Sequence, residues 1–306
     1  MKIRLDFCDF WPGFLKTDNL FYNALKTRFD IELADCPDFV IYSDPNKHVH
    51  RLHNCVRIFV GVEWWLPDWS ECDYALTSNF VDDQRHLRMP AYVLCGGGIE
   101  PLLKDAEAPE KILAEKTGFC SFVVRKSHPR KRIEIFQRLS RYKRVESGGP
   151  FMNNIGGAIP LGQRAKIEFL RKYKFHLALE NKSLDGWTTE KICDAMAARS
   201  LPIYWGNPRI DMDFNPKSFI NYFDFPSEDA FIEKIVELDQ DDAKYLECLR
   251  QPYLHNNQPN EYFNMDRLLD FFDRIFSTPI TPVARRSRFF EVNRWLLARK
   301  NRHTEL

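Results

Sequence analysis

One stretch limits the folds open to this chain more than any other. It runs from Tyr173 to Pro208: YKFHLALENKSLDGWTTEKICDAMAARSLPIYWGNP. Phe175 to Leu179 is an apolar run of strand length. Glu180 to Trp187 is a polar loop, and Thr188 and Thr189 are N-cap candidates for the helix that follows, with Glu190 in its first turn. Ile192, Ala195, Met196 and Ala198 recur at helical spacing. Leu201 to Trp205 is a second strand, closed by Gly206, Asn207 and Pro208. Strand, loop, helix and strand in this order form a βαβ unit, which requires parallel strands and a crossover. Its first loop meets a helix N-terminus, where free N–H groups and a partial positive charge suit a phosphate. Lys191 would add a full charge there.

The rest of the chain keeps this rhythm. Ile3–Phe7, Ile31–Leu33, Phe39–Tyr42, Val56–Val62 and Tyr74–Thr77 read as strands, with a helix over Asn19–Arg28. Glu63 stands at the tip of the strongly apolar 56–62 strand, followed by Trp64 and Trp65. Ligands of open α/β sheets lie at the carboxyl ends of strands, so Glu63 is a candidate general base. Position alone weighs that role evenly against a surface-loop glutamate beside packing aromatics. His86–Tyr92 reads as a turn. The run from Gly96 to Glu115 carries Gly97, Gly98, Pro101 and Pro109 with scattered charges, and its later part, around 104–116, reads as a linker; Phe119–Val124 starts a second sheet. The helix over Pro129–Tyr142 opens with Arg130, Lys131 and Arg132, cations that oppose its macrodipole; a bound anion would favour them, and a solvated basic turn is the commoner use of such a run. Ser147–Gly157 is a Gly/Asn-rich loop able to approach a ligand. Ile167–Tyr173 reads as a helix and Phe219–Phe225 as a strand, followed by helices over 229–238 and 242–250.

The formal charge of +1 excludes nucleic-acid binding by the molecule as a whole. The eight cysteines show no CxxC pair, which fits reduced thiols in a cytoplasmic chain. No apolar run reaches transmembrane length. The segment 285–302 carries seven basic residues with Phe289, Val292, Trp295, Leu296 and Leu297 between them. It reads either as an amphipathic helix for an anionic membrane surface or as a terminal helix docked on its own domain. Walker A, GxGxxG and GxSxG patterns are absent. Asp211-Met212-Asp213 matches DxD, but three letters in a polar turn do not make a metal site.

Longer patterns carry more. FHLALENKSLDGWTTEKICDAMAARSLPIYWGNP followed by DFNPKSFINYFDF closely resembles the signature of the α-1,3-fucosyltransferases, glycosyltransferase family 10, in its bacterial type. FVGVEWW, DYAL, LRMPAY and SGGPFMNNIG resemble collinear upstream family segments. The resemblance implies a GT-B-like α/β fold of two Rossmann-like domains, with mostly parallel sheets facing across a cleft. The expected division is an acceptor-binding domain over 1–115, a donor-binding domain over 116–275 and the basic tail over 276–306. It also implies inverting transfer of L-fucose from GDP-β-L-fucose to a hydroxyl of an oligosaccharide or lipopolysaccharide-type acceptor, usually O3 of GlcNAc in a lactosamine-type glycan, with no cofactor or obligatory metal. A transferase using another nucleotide sugar and a non-catalytic glycan-binding relative are the alternatives.

Roles follow residue by residue from the resemblance. Glu63 is the expected base. Arg132 and Lys191 match phosphate-binding cations, Glu190 a ribose-binding carboxylate, and Asn181 a residue near the phosphates or the fucose. Trp187 occupies a donor-side position where the family usually has Tyr, so it can stack but lacks a phenolic O–H. Apart from the resemblance, Trp11, Trp64 and Trp65 are acceptor-stacking candidates by their aromatic faces, and equally candidates for the core.

Overall fold

The structure is a computed structural model in which residues 2–95, 97–104 and 108–286 are described. In chain order the elements are β1 (Lys2–Cys8), α1 (Leu20–Leu25), β2 (Asp30–Leu33), β3 (Phe39–Tyr42), β4 (Val56–Gly61), β5 (Tyr74–Thr77), β6 (His86–Arg88), α2 (Ala91–Cys95) and α3 (Pro109–Ala114). There follow β7 (Gly118–Phe122), α4 (Arg130–Tyr142), β8 (Val145–Ser147), α5 (Gln163–Leu170), β9 (Tyr173–Leu179), α6 (Glu190–Ala197) and β10 (Leu201–Trp205). The last are β11 (Ile220–Asn221), α7 (Glu228–Gln240), α8 (Asp242–Arg250), α9 (Met265–Ser277) and α10 (Val283–Arg286). Two parallel sheets result, ordered β2-β1-β3-β4-β5-β6 and β11-β10-β9-β7-β8. Numbered within its own unit, the second sheet has the same order as the first: its first strand, β7, lies between its second and third. Each sheet therefore reverses direction of growth once, between β1 and β3 and between β7 and β9. That switch point is where open α/β sheets form a ligand crevice.

The chain divides into two compact units, one of residues up to Pro90 and from Asn264, the other Ala91–Phe263. This moves the expected boundaries at 115 and 275. The reason is α9, whose Leu268, Phe271, Phe272, Ile275 and Phe276 are buried at helical spacing. Phe276 packs edge-on against Phe29 and Phe39, Phe271 against Tyr74, and Arg28 pairs with Asp266 and Asp270. The helix belongs with the first sheet.

Every residue of β4 is buried, as a central parallel strand requires. In the second unit Phe122, Phe175, Leu177, Leu179 and Ile203 meet Ile135 and Leu139 of α4 and Ile235 of α7 in one core. Three expectations shift. His86–Arg88 pairs with β5 as an edge strand, where a turn was expected. The helix expected over 167–173 is α5, which ends at Leu170, and Tyr173 already belongs to β9. Only Ile220–Asn221 of the expected 219–225 strand pairs, and Tyr222–Asp224 turns away as 3-10 helix. One glycine of the Gly-rich loop serves packing. A Cβ on Gly149 would sit 2.2 Å from the Val124 carbonyl oxygen, so glycine there lets the loop after β8 close on the end of β7.

Candidate active site

In the second unit the switch point carries the residues expected to bind the donor. Arg132 lies in the first turn of α4 and is buried. Its Nη1 donates to Asn181 Oδ1 at 2.8 Å, and its Nη2 donates to the carbonyls of Lys126 and His128. Asn181 follows the end of β9, so the contact bridges the loops after β7 and β9. Burial draws the Arg132 guanidinium pKa down, while Glu180 opposes the shift.

Glu180, immediately after β9, is fully buried. Its Oε1 accepts the Thr189 N–H at 2.7 Å, and both of its oxygens accept from Thr189 Oγ1, at 2.9 and 2.8 Å. Lys191 Nζ donates to Glu180 Oε2 at 3.0 Å and to Thr189 Oγ1 at 2.9 Å. Thr189 is the N-cap of α6, but its hydroxyl makes no cap bond to the helix. The Glu180 carboxylate lies at the helix start in its place, where negative charge is favoured. Burial lowers the Lys191 pKa, but Glu180 and Glu190 outweigh burial and hold it above the ordinary lysine value. Glu190 lies 3.9 Å from Lys191 and stays below its usual range, because Lys191 and Lys166 outweigh the upward push of burial.

Glu180 was not singled out from the sequence. The signal was present as the Glu of LEN, adjacent to Asn181, but a carboxylate at a strand end does not reveal that it turns back onto a helix nine residues later. Gly206 leaves room for it: a Cβ there would lie 2.4 Å from Glu180 Cγ and 2.7 Å from the Tyr204 hydroxyl. We expect Gly206→Ala to cost about 1–3 kcal/mol in urea unfolding by overpacking, whereas Gly157→Ala, with nothing within 4 Å, is close to neutral.

Trp187 is fully buried, and its Nε1 has no hydrogen-bond partner among the described residues. In this conformation it is a packed side chain and presents no face for stacking. The DxD match also comes apart, since Asp213 is fully buried and Asp211 is exposed. Among the described residues no group of three or more His, Cys, Asp or Glu could hold a metal ion.

In the first unit Glu63 is exposed, two residues past the end of β4. Trp64 is exposed by 40%, and Trp11 by 51% on the loop after β1, where it packs edge-on against Phe10 and Phe14. Trp65 differs from both, packing against the core group of Tyr42, Phe59 and Cys72. This unit's switch point is also bridged. Asp9 follows β1 in a left-handed conformation (φ 58°), and its carboxylate accepts from His50 N–H at 2.8 Å, His50 Nδ1 at 2.7 Å and Val49 N–H at 3.1 Å. His50 stacks on Tyr42 with centroids 4.0 Å apart, and Glu71 Oε2 lies 3.5 Å from its Nε2. The His50 contact, against burial and with help from Arg51, pulls the Glu71 carboxyl from 4.5 to about 2. A depressed acid stabilises the fold above its unfolded pKa and loses that contribution as pH falls through its folded value. The stability gap between wild type and Glu71→Gln should therefore be full above about pH 4.5 and shrink toward pH 2, as read from urea midpoints.

Comparison with known proteins decides the family. Residues 113–257 match the model of glycosyltransferase family 10 (fucosyltransferase), C-terminal region, and residues 5–95 match the alpha-(1,3)-fucosyltransferase FucT N-terminal domain. The chain belongs to glycosyltransferase family 10. This family 10 chain is 29% identical over 299 residues to the alpha-(1,3)-fucosyltransferase FucT of Helicobacter pylori, covering 84% of itself and 62% of that protein. It is 30% identical over 158 residues to a 4-galactosyl-N-acetylglucosaminide 3-alpha-L-fucosyltransferase of Homo sapiens, covering 50% of itself and 42% of the relative. The chain thus spans less than two thirds of the length of these curated relatives. A crystal structure of an alpha1,3-fucosyltransferase superposes with a TM-score of 0.78 at 27% identity, covering 92% of this chain and 91% of that one. A second, with GDP-fucose, gives 0.75 at 28% identity and 92% of each chain. The GT-B-like α/β fold expected from the sequence is the one observed.

Proposed function

We propose that the protein is an inverting fucosyltransferase that moves L-fucose from GDP-β-L-fucose to O3 of GlcNAc in a lactosamine-type acceptor. The observation that carries this is the donor-side constellation at the second unit's switch point. Arg132 with Asn181, and Lys191 with Glu180, bring two cations to the carboxyl ends of β7 and β9, in a fold that a related enzyme shares in a structure with GDP-fucose. Glu190, at the first position of α6, would accept from the ribose hydroxyls. In the reaction the acceptor oxygen bonds to the anomeric carbon as that carbon's bond to the β-phosphate oxygen breaks. Glu63 takes the hydroxyl proton, and GDP leaves with the electron pair. Arg132 and Lys191 stabilise the charge growing on the diphosphate. Trp11 and Trp64, exposed on the first unit, supply faces for sugar stacking.

This scheme requires no metal, so turnover should be unchanged by EDTA. A loss restored by a divalent cation would remove the two-cation account. The donor is tested by a screen: GDP release from GDP-fucose in the presence of a lactosamine acceptor, with none from GDP-mannose, is expected. Equal release from both would return the chain to the wider class of GT-B transferases. Membrane association through 285–302 is a separate proposal. Only the first two residues of that segment are among those described, and no described helix is long and apolar enough to cross a membrane. Sedimentation with anionic vesicles, with and without residues 285–306, tests it.

A further inference from the structure

We propose that Glu180 is a positioning residue for the donor: its carboxylate fixes the Lys191 ammonium and keeps it charged at the switch point, leaving one N–H for the diphosphate. This rests on the reading above that the site takes a nucleoside diphosphate. The geometry supports it in three ways. Glu180 is fully buried, and its bonds to the Thr189 N–H and hydroxyl fix its orientation. An ammonium has three donors, and two are committed, to Glu180 Oε2 and Thr189 Oγ1. The chain also keeps the space clear, through the missing Cβ of Gly206. Adjacent residues at the end of β9 thus each hold one cation: Glu180 holds Lys191, and Asn181 holds Arg132.

A buried ammonium without a counter-charge tends to lose its proton. The charged groups acting on Lys191 are Glu180, Glu190 on its own helix, and Arg132 from α4, which disfavours its charge. Lys166 of α5 is committed to Asp194 at 2.7 Å, β10 contributes the neutral Tyr204, and Glu100 belongs to a turn packed on α6. Glu180 is therefore the near, fully buried counter-charge. A positioning role and a merely structural one differ in their pH dependence. Thr189→Ala removes two contacts to Glu180 and one to Lys191 but leaves the Glu180 charge beside Lys191. Glu180→Gln keeps the shape and removes the charge.

The experiment measures GDP affinity of the wild type and both variants between about pH 7 and pH 10, across the range where a lysine loses its proton. In parallel, the Lys191 side-chain resonance is titrated by NMR in the ligand-free protein. Wild type should hold GDP affinity until lysine's ordinary range or above, and Thr189→Ala, whatever its affinity at pH 7, should keep the wild-type shape of the pH profile. Glu180→Gln should lose affinity at lower pH, by about tenfold for each unit that the Lys191 pKa falls below the assay pH. Glu180→Asp, with the carboxylate drawn back, should shift less in the same direction, and it serves if Glu180→Gln does not fold. Superimposable profiles for wild type and the Glu180 variants, with an unmoved Lys191 resonance, would overturn the proposal. A wild type that does not bind GDP would overturn the donor reading instead, while the ligand-free titration still decides the role of Glu180.

Discussion

Glu63→Gln should abolish most fucosyl transfer and leave GDP binding as it was. The amide keeps the size of the side chain and cannot take the acceptor proton, so turnover should fall by about 10²–10⁴-fold, the usual range for losing a general base. Glu63 is exposed and lies outside every described strand and helix, so the variant should unfold at the wild-type urea midpoint. It also lies in the first unit, while Arg132, Asn181, Glu190 and Lys191 lie in the second. GDP affinity by calorimetry should therefore be unchanged. The acid limb of the pH–rate profile, which reports the base, should vanish from whatever activity is left. Turnover within a factor of a few of wild type would assign the proton to another group.

Lys191→Met should damage both the fold and the site. Methionine fills much of the same volume but leaves the Glu180 carboxylate buried without its counter-charge. Removing one member of a buried pair costs about 3–5 kcal/mol, and the lower end suits this pair because Lys191 retains some exposure while Glu180 has none. The double variant Glu180→Gln, Lys191→Met should recover most of that stability, since a neutral amide can still accept the Thr189 N–H. It should not recover GDP binding. This contrast separates the charge that Glu180 needs from the charge that the ligand needs. If Lys191→Met alone were as stable as wild type, Glu180 would have to be protonated or solvated in the folded state.

The readability of these features from sequence followed the range of the interactions behind them. The βαβ unit was legible because Ile192, Ala195 and Met196 recur at helical spacing between two apolar runs, and both properties are local. Arg132 was legible as an anomaly, a cation placed against a helix dipole, and the structure shows its partner to be Asn181. Glu180 was missed because its role depends on a return contact across a loop. The burial of Trp187 was not legible for a related reason: an indole beside a polar loop looks available until the fold buries it. The α9 helix was missed although its period is plain in residues 268–276, and the division expected at 275 then followed the second sheet too far. Which sheet a helix covers depends on partners such as Phe29, Phe39 and Tyr74, more than 190 residues away in sequence.

The route of α9 has a consequence for how the protein is made. The strands of the first sheet leave the ribosome early, yet the helix that covers Phe29, Phe39 and Tyr74 is synthesised only after the whole second unit. Residues 91–263 have their strands and helices in one continuous segment and can fold as they emerge. The first-made half must wait, with an apolar sheet face uncovered, for a helix made after the whole second unit. A chain released before residue 264 should therefore hold a folded second half and an aggregation-prone first half.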